Sequence, residues 1–176
     1  MMNTVNRRGL RLTPNSEQHQ KWTRTIYFGE LGFSVACAMV LLVRSTVPDR
    51  DLVALFGSGC VVWTLAEYAT HRFVLHYLAP AEHLRHHAAP DAPVIHVFWQ
   101  IWAAFAIVYE IFGGAFLAGV LVAYAWYLFA HYSAHHSPET VATLAKHHLG
   151  HHKLSTTNFG VSTTVWDRVF GTSSDR

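Results

Sequence analysis

The sequence predicts an all-α integral membrane protein, a four-helix bundle with a cytoplasmic helical cap that carries histidine boxes. Three observations lead there. Apolar residues make up 51% of the 176 and charged residues only 14%, and the apolar ones run contiguously. The histidines, fourteen in all, gather in short knots where those runs stop, as in "HLRHH" (83–87) and "HHLGHH" (147–152). Eleven of the thirteen Lys and Arg residues fall in segments that a single topology places on one side.

Four apolar windows qualify as spans: Thr25–Val43, Leu52–Thr70, Val94–Phe112 and Ala115–Ser133. At ~1.5 Å per residue, a window of about nineteen residues nearly crosses a ~30 Å hydrocarbon core. Soluble core helices are rarely that apolar all round. The first window is not a cleavable signal, because a long polar and basic stretch precedes it and no small-residue cleavage site follows it. Cys37 and Cys60 lie inside spans and read as small apolar fillers. A formal charge of only +2 gives no case for a nucleic-acid partner.

Charge placement sets the topology. Arg7, Arg8, Arg11, Lys21 and Arg24 precede the first span, Arg72 and Arg85 lie between the second and third, and Lys146, Lys153, Arg168 and Arg176 follow the fourth. Only Arg44 and Arg50 fall in the first–second connection. Both termini and every histidine knot are therefore expected on the cytoplasmic side.

Along the chain, residues 1–20 read as a polar basic tail and 21–176 as one domain. Pro48-Asp49 breaks the first hairpin. The second span is expected to run on as a helix to Ala79-Pro80, carrying "HRFVLH" (71–76) out of the membrane. Pro80 suits the first turn of a short helix closed by "PDAP" at 90–93. Gly113-Gly114 turns the third span into the fourth, and Ser137-Pro138 starts a further helix towards His152. In the tail, Val165, Trp166, Val169 and Phe170 share one face of an expected interfacial helix.

In "HLRHH", His83, His86 and His87 stand at i, i+3 and i+4, on one face of a helix. His148, His151 and His152 repeat the pattern, and His131 pairs with His135 at i+4. His71 and His76 are five apart, some 140° from each other on an α-helix, so they reach different atoms or bracket one site. His19, His96 and His147 read as ordinary hydrogen-bonded histidines. Burying ten imidazoles without partners costs on the order of 1–3 kcal/mol each, a cost that metal ligation removes. Ten ligands exceed one zinc site by a factor of two or more, so two ions are expected. Imidazole alone suits Fe, Cu, Zn and Ni. A ferritin-like site would need several Glu ligands and ExxH pairs, and the chain has no ExxH. Glu67, at i, i+4 from His71, is placed to hold an imidazole N–H from behind. His136 and Asp167 are assigned the same supporting role.

"EYATHRFVLH", "HLRHH", "HYSAHHSP" and "KHHLGHH", followed by "NFGVSTTVWDRVFGT", resemble the fatty acid hydroxylase and sterol desaturase superfamily, in motifs most of all its fatty acid 2-hydroxylases. The resemblance spans residues 67–172. It implies a di-iron centre, two Fe ions held by His71, His76, His83, His86, His87, His131, His135, His148, His151 and His152. The sequence departs from the pattern in the short spacer between His76 and His83 and in Leu128, where an Asp often stands.

The expected activity is hydroxylation of a lipid C–H bond, in a fatty acyl chain near its carboxyl end, using O₂ and two external electrons. The chain carries no flavin fingerprint, cysteine cluster or haem segment, so a ferredoxin- or cytochrome-type donor with its reductase is the expected electron partner. Phe73, Phe98, Trp99, Trp102 and Trp126 are the expected substrate channel. The alternatives are a β-carotene hydroxylase-like or sterol-modifying oxygenase and, from another class, a membrane metal-ion transporter or storage protein. Transporters, however, hold ligands near mid-bilayer, where these spans have almost none.

Overall fold

A computed structural model describes residues 14–78, 80–90 and 98–174, with side chains from residue 24 onward except at positions 82 and 98. All regular structure among them is helical. Residues 91–97, and with them most of the "PDAP" segment, His96 and the start of the third window, lie outside the described residues, as do residues 1–13 and the side chain of His19.

Helix α1 spans Pro14–Val43. It begins inside the stretch read from sequence as a tail, with a proline at its first position, where a missing N–H costs nothing. Helix α2, Asp49–Ala69, starts directly after Pro48 with Asp49 and Asp51 in its first turn, where carboxylates complement the helix dipole. It does run on as expected, but as a π-helix over Thr70–Leu78. Helix α3 is Pro80–Ala88.

Helix α4, Phe98–His136, is broken at Gly113, whose φ of 80° is non-helical. The two arms fold back on each other there: the rings of Phe105 and Tyr124, on opposite sides of the break, are 5.3 Å apart. Glycine alone carries that backbone without a Cβ penalty. A 3₁₀ turn, Pro138–Val141, then leads into α5, Ala142–Lys153. Pro138 is at its first position as expected, but Ser137 makes no side-chain cap. The short α6, Val165–Val169, leaves Val165 and Val169 exposed, while the Trp166 indole donates to Thr64 Oγ1 at 3.0 Å.

Among the described residues, three helices are long and apolar enough to cross a membrane: Arg24–Val43, Asp49–Leu78 and Trp99–His136, the last being the helix broken at Gly113. Their outer faces are apolar and exposed, with Val43 84% and Ile111 65% accessible. A face like that, on helices of this length, suits lipid better than water. The chain is an integral membrane protein. Its core lies between α1, α2 and both arms of α4, around Tyr27, Phe105, Leu121, Tyr124 and Leu128. Tyr27 donates to the Leu128 carbonyl at 2.6 Å, and Phe28 packs on Tyr132. The middle of α1, around Tyr27 and Phe28, therefore stands beside the histidine-bearing end of α4. At the opposite end, α2 meets α4 backbone to backbone: a Cβ on Gly59 would lie 2.1 Å from the Phe116 carbonyl, and one on Gly119 would lie 2.0 Å from that of Phe56.

Candidate metal centre

The histidine boxes converge on two groups of ring nitrogens. His71, His76, His83, His87 and His151 form one, and His86, His135, His148 and His152 the other, with the ligand atoms of each group within 4.8 Å of one another. His131 joins the second, its Nε2 3.0 Å from that of His86. The grouping cuts across the sequence motifs. On α3, His83 and His87 serve the first group and His86 the second. On α5, His151 serves the first while His148 and His152 serve the second. Each triplet shares one helix face, as its spacing requires, yet each straddles both sites.

His71 and His76 depart from the 140° separation expected on an α-helix. The π-helix closes i→i+5 bonds and so stacks residues five apart on one side. Both imidazoles enter the first group, their rings 5.3 Å apart.

Hydrogen bonding cannot satisfy that group. Five Nε2···Nε2 contacts join its members at 3.0–3.1 Å: 71–83, 76–83, 83–87, 76–151 and 87–151. His71 Nδ1 donates to the Phe159 carbonyl and His151 Nδ1 to that of Thr157, which leaves both Nε2 atoms bare in the neutral rings. Three protons at most remain for five contacts. Burial, and then neighbouring imidazoles, push His83 down to about 2. Burial foremost brings His151 to about 4, so extra protons are not held either. A cation resolves the count. Neighbouring ligands at right angles on metal–nitrogen bonds of ~2.1 Å lie ~3.0 Å apart, the separation seen here. In the second group burial, followed by the neighbouring rings, lowers His148 well below the ordinary range and His152 to about 2. The donor set fits two cations, each ringed by neutral imidazoles.

The supports differ from those expected. Glu67 does not hold His71. Its carboxylate accepts from the Val161 N–H at 2.8 Å and from the N–H and hydroxyl of Ser162. Its acceptor sites meet backbone donors, and the Phe159 carbonyl takes the imidazole instead. His136 belongs to neither group: its ring stacks on Tyr132 at 4.0 Å and its Nδ1 donates to the Tyr132 carbonyl. Asp167 touches no ligand histidine. Fully buried, it accepts from His147 Nε2 at 2.9 Å, the N–H groups of Phe159 and Gly160, and the Thr172 hydroxyl. Burial pushes its carboxyl up, but those donors outweigh burial and hold it below the usual value. Asp167 and Glu67 thus both pin the 157–162 loop, whose carbonyls orient His71 and His151.

Two further residues brace the loop. His147 is the hydrogen-bonded histidine expected, fully buried with Asp167 as its partner. Asn158, fully buried at a positive φ of 56°, donates to the His147 carbonyl and to Ser174 Oγ. The "NFG" turn was the available signal, since Asn is the side chain most at home at such φ.

Beneath the imidazoles an apolar groove of about 490 Å³ runs between α2 and both arms of α4. His71 and His83 of the first group line its upper end, with His131 and His148 of the second. The channel expected from sequence is not this one. Phe73 and Trp99 face outward, 52% and 69% exposed. Trp102 donates to Glu30 Oε1 at 2.7 Å and Trp126 to the Ser162 carbonyl at 3.0 Å, and the Phe98 side chain lies outside the described residues. Trp63, Phe105 and Tyr127 line the groove instead. Aromatic content alone cannot distinguish the groove wall from the lipid-facing wall of the same helix.

An all-helical, membrane-suited chain with paired imidazole clusters above an apolar groove defines the class, a histidine-box membrane protein. A sequence profile of the fatty acid hydroxylase family matches residues 56–172. The fatty acid 2-hydroxylase of Rattus norvegicus is 31% identical over 153 residues, 72% of this chain and 41% of that protein's length. The dihydroceramide fatty acyl 2-hydroxylase FAH2 of Arabidopsis thaliana is 30% identical over 85% of this chain and 74% of its own. A solved structure, full-length scs7p with only the hydroxylase domain visible, matches with a TM-score of 0.68 at 31% identity, over 83% of this chain and 64% of that one. The chain belongs to the fatty acid hydroxylase family.

Proposed function

We propose that this protein is a di-iron lipid hydroxylase that places a hydroxyl near the carboxyl end of a fatty acyl chain. The observation that carries the reading is the meeting of ten imidazoles, in two groups of five, with the upper end of an apolar groove. His71, His76, His83, His87 and His151 would hold one iron, and His86, His131, His135, His148 and His152 the other. The bound irons supply O₂-activating redox chemistry. The balance is one C–H bond, one O₂, two electrons and two protons giving one C–OH and one water. The electrons come from an external ferredoxin- or cytochrome-type donor and its reductase.

The chain's own residues position and shield. The groove's apolar walls hold the acyl chain out of water and present its upper carbons to the imidazole groups. The 157–162 loop, fastened by Glu67 and Asp167, keeps His71 and His151 oriented, as carboxylate and carbonyl partners do for metal-bound imidazoles generally. We read the two arms of α4 as separate spans, which gives four, with the histidine end cytoplasmic on the positive-inside pattern. At that end the groove's top lies near headgroup level, the depth of the carbons beside an acyl carboxyl or amide.

The test is expression in a lipid-producing host, with mass spectrometry of hydrolysed acyl chains and metal analysis of the purified protein. The expected result is chains bearing one added oxygen near the carboxyl end and two irons per chain. Unchanged acyl chains alongside hydroxylated carotenoids or sterols would move the substrate class. A folded, iron-saturated preparation with one metal or none would end the di-iron reading.

A further inference from the structure

We propose that the stacked rings of Phe112 and Phe116 form the floor of the groove and set the length of acyl chain the protein accepts, an inference that rests on the lipid reading above. The lining on α2 stops at Val62. About one turn below it, Gly59 and the Phe116 backbone are in such close contact that not even a Cβ fits between them. Helices that meet backbone to backbone leave no room for a ligand. On the facing arm of α4 the lining continues down to Phe112, whose ring stacks on Phe116 at 4.7 Å and 29°.

The two rings differ in freedom. Phe116 is 6% exposed, while Phe112, next to the Gly113 break, is 53% exposed. Phe116 is a fixed plate and Phe112 its lipid-facing edge. From His131 at the roof to Phe116 at the floor the same helix runs for fifteen residues, roughly 22 Å at the α-helical rise. An unbranched acyl chain with its reacting carbon at the roof lays its methyl end on these rings. Val62, Val108 and Val120 complete the lower groove and offer a ligand no polar side chain, so this end selects by length and not by functional group.

The experiment uses the whole metal-loaded protein in detergent and follows its melting temperature with a series of saturated fatty acids of increasing length. Wild type should show an optimum length. Phe116→Ala should move it to longer chains by about two carbons or more, since a deleted ring leaves a cavity at the site, and Phe116→Trp to shorter ones. Phe112→Ala, at an exposed position that folding tolerates, should also favour longer chains. Phe129→Ala, off the groove, should change nothing. The lengths of hydroxylated products should shift in parallel. Stabilisation by fatty acids with an unchanged optimum in all three floor variants overturns the inference and leaves the lipid reading standing. If no chain of any length stabilises wild type, the lipid reading fails and the floor with it.

Discussion

His87 and His152 belong to different nitrogen groups, yet their rings stack 4.3 Å apart and 15° from parallel. The two candidate metal sites therefore share a wall, and α3 and α5 each send ligands to both. Occupancy of one site should depend on the other.

His86→Ala or His151→Ala should accordingly remove more than one site's worth of metal. Iron per chain is expected to fall from two to below one, with activity lost. His19→Ala should leave both unchanged. Elemental analysis of the purified variants checks this. A clean loss of one iron, with the other held at wild-type affinity, would show the sites to be independent.

Asp167→Asn tests the outer support. One carboxylate here receives four donors, and an amide offers a single acceptor oxygen. Leaving a buried donor without its acceptor costs about 1–3 kcal/mol, so the variant should melt below wild type. Because the 157–162 loop orients His71 and His151, iron should also be lost faster to a chelator. Wild-type chelation kinetics in a destabilised Asp167→Asn protein would separate the clamp from the metal site.

The pH dependence follows from the depressed histidines. His83, His151 and His152 are neutral in the fold, with values near 2, 4 and 2, whereas an unfolded imidazole titrates near ~6.5. Below ~6.5 the unfolded chain binds more protons than the folded one, so stability falls as pH drops. It continues to fall until the folded rings take up protons. The metal-free protein should lose melting temperature steadily from pH 7 to 5, and bound metal, which competes with those protons, should reduce the loss. A flat profile for the metal-free protein would contradict neutral, buried imidazoles.

Topology is tested by labelling. With Cys37 and Cys60 replaced, a cysteine at Lys146 should react with an impermeant thiol reagent from the cytoplasmic side only, and one at Asp49 from the far side only. Both positions are exposed. The reverse pattern would overturn the charge argument.

Most of the helical plan was legible. Gly113 marked the reversal, Pro48 and Pro80 marked helix starts, and i, i+3, i+4 spacing put each triplet on one face. What local spacing could not carry was geometry set by distant contacts. The relation of His71 to His76 depends on a π-helix, which periodicity does not announce. Glu67 stands at the right spacing from His71 but meets backbone donors 94 residues away. His147 is the hydrogen-bonded histidine expected, but local spacing does not name its partner, because Asp167 lies 20 residues on. The groove was misplaced for the same reason, since Trp102 and Phe105 share an arm and only tertiary packing decides which faces the cavity.

On the proposed reading, the imidazole groups serve oxygen insertion at the head of an acyl chain. The most direct test of that reading supplies the purified, iron-loaded protein with a long-chain acyl lipid, an electron donor with its reductase, and isotopically labelled oxygen gas. The expected product carries one labelled oxygen near the carboxyl end, and forms only when reductant is present. A product whose new oxygen is unlabelled, or turnover without reductant, would mean that the site is hydrolytic and the account wrong.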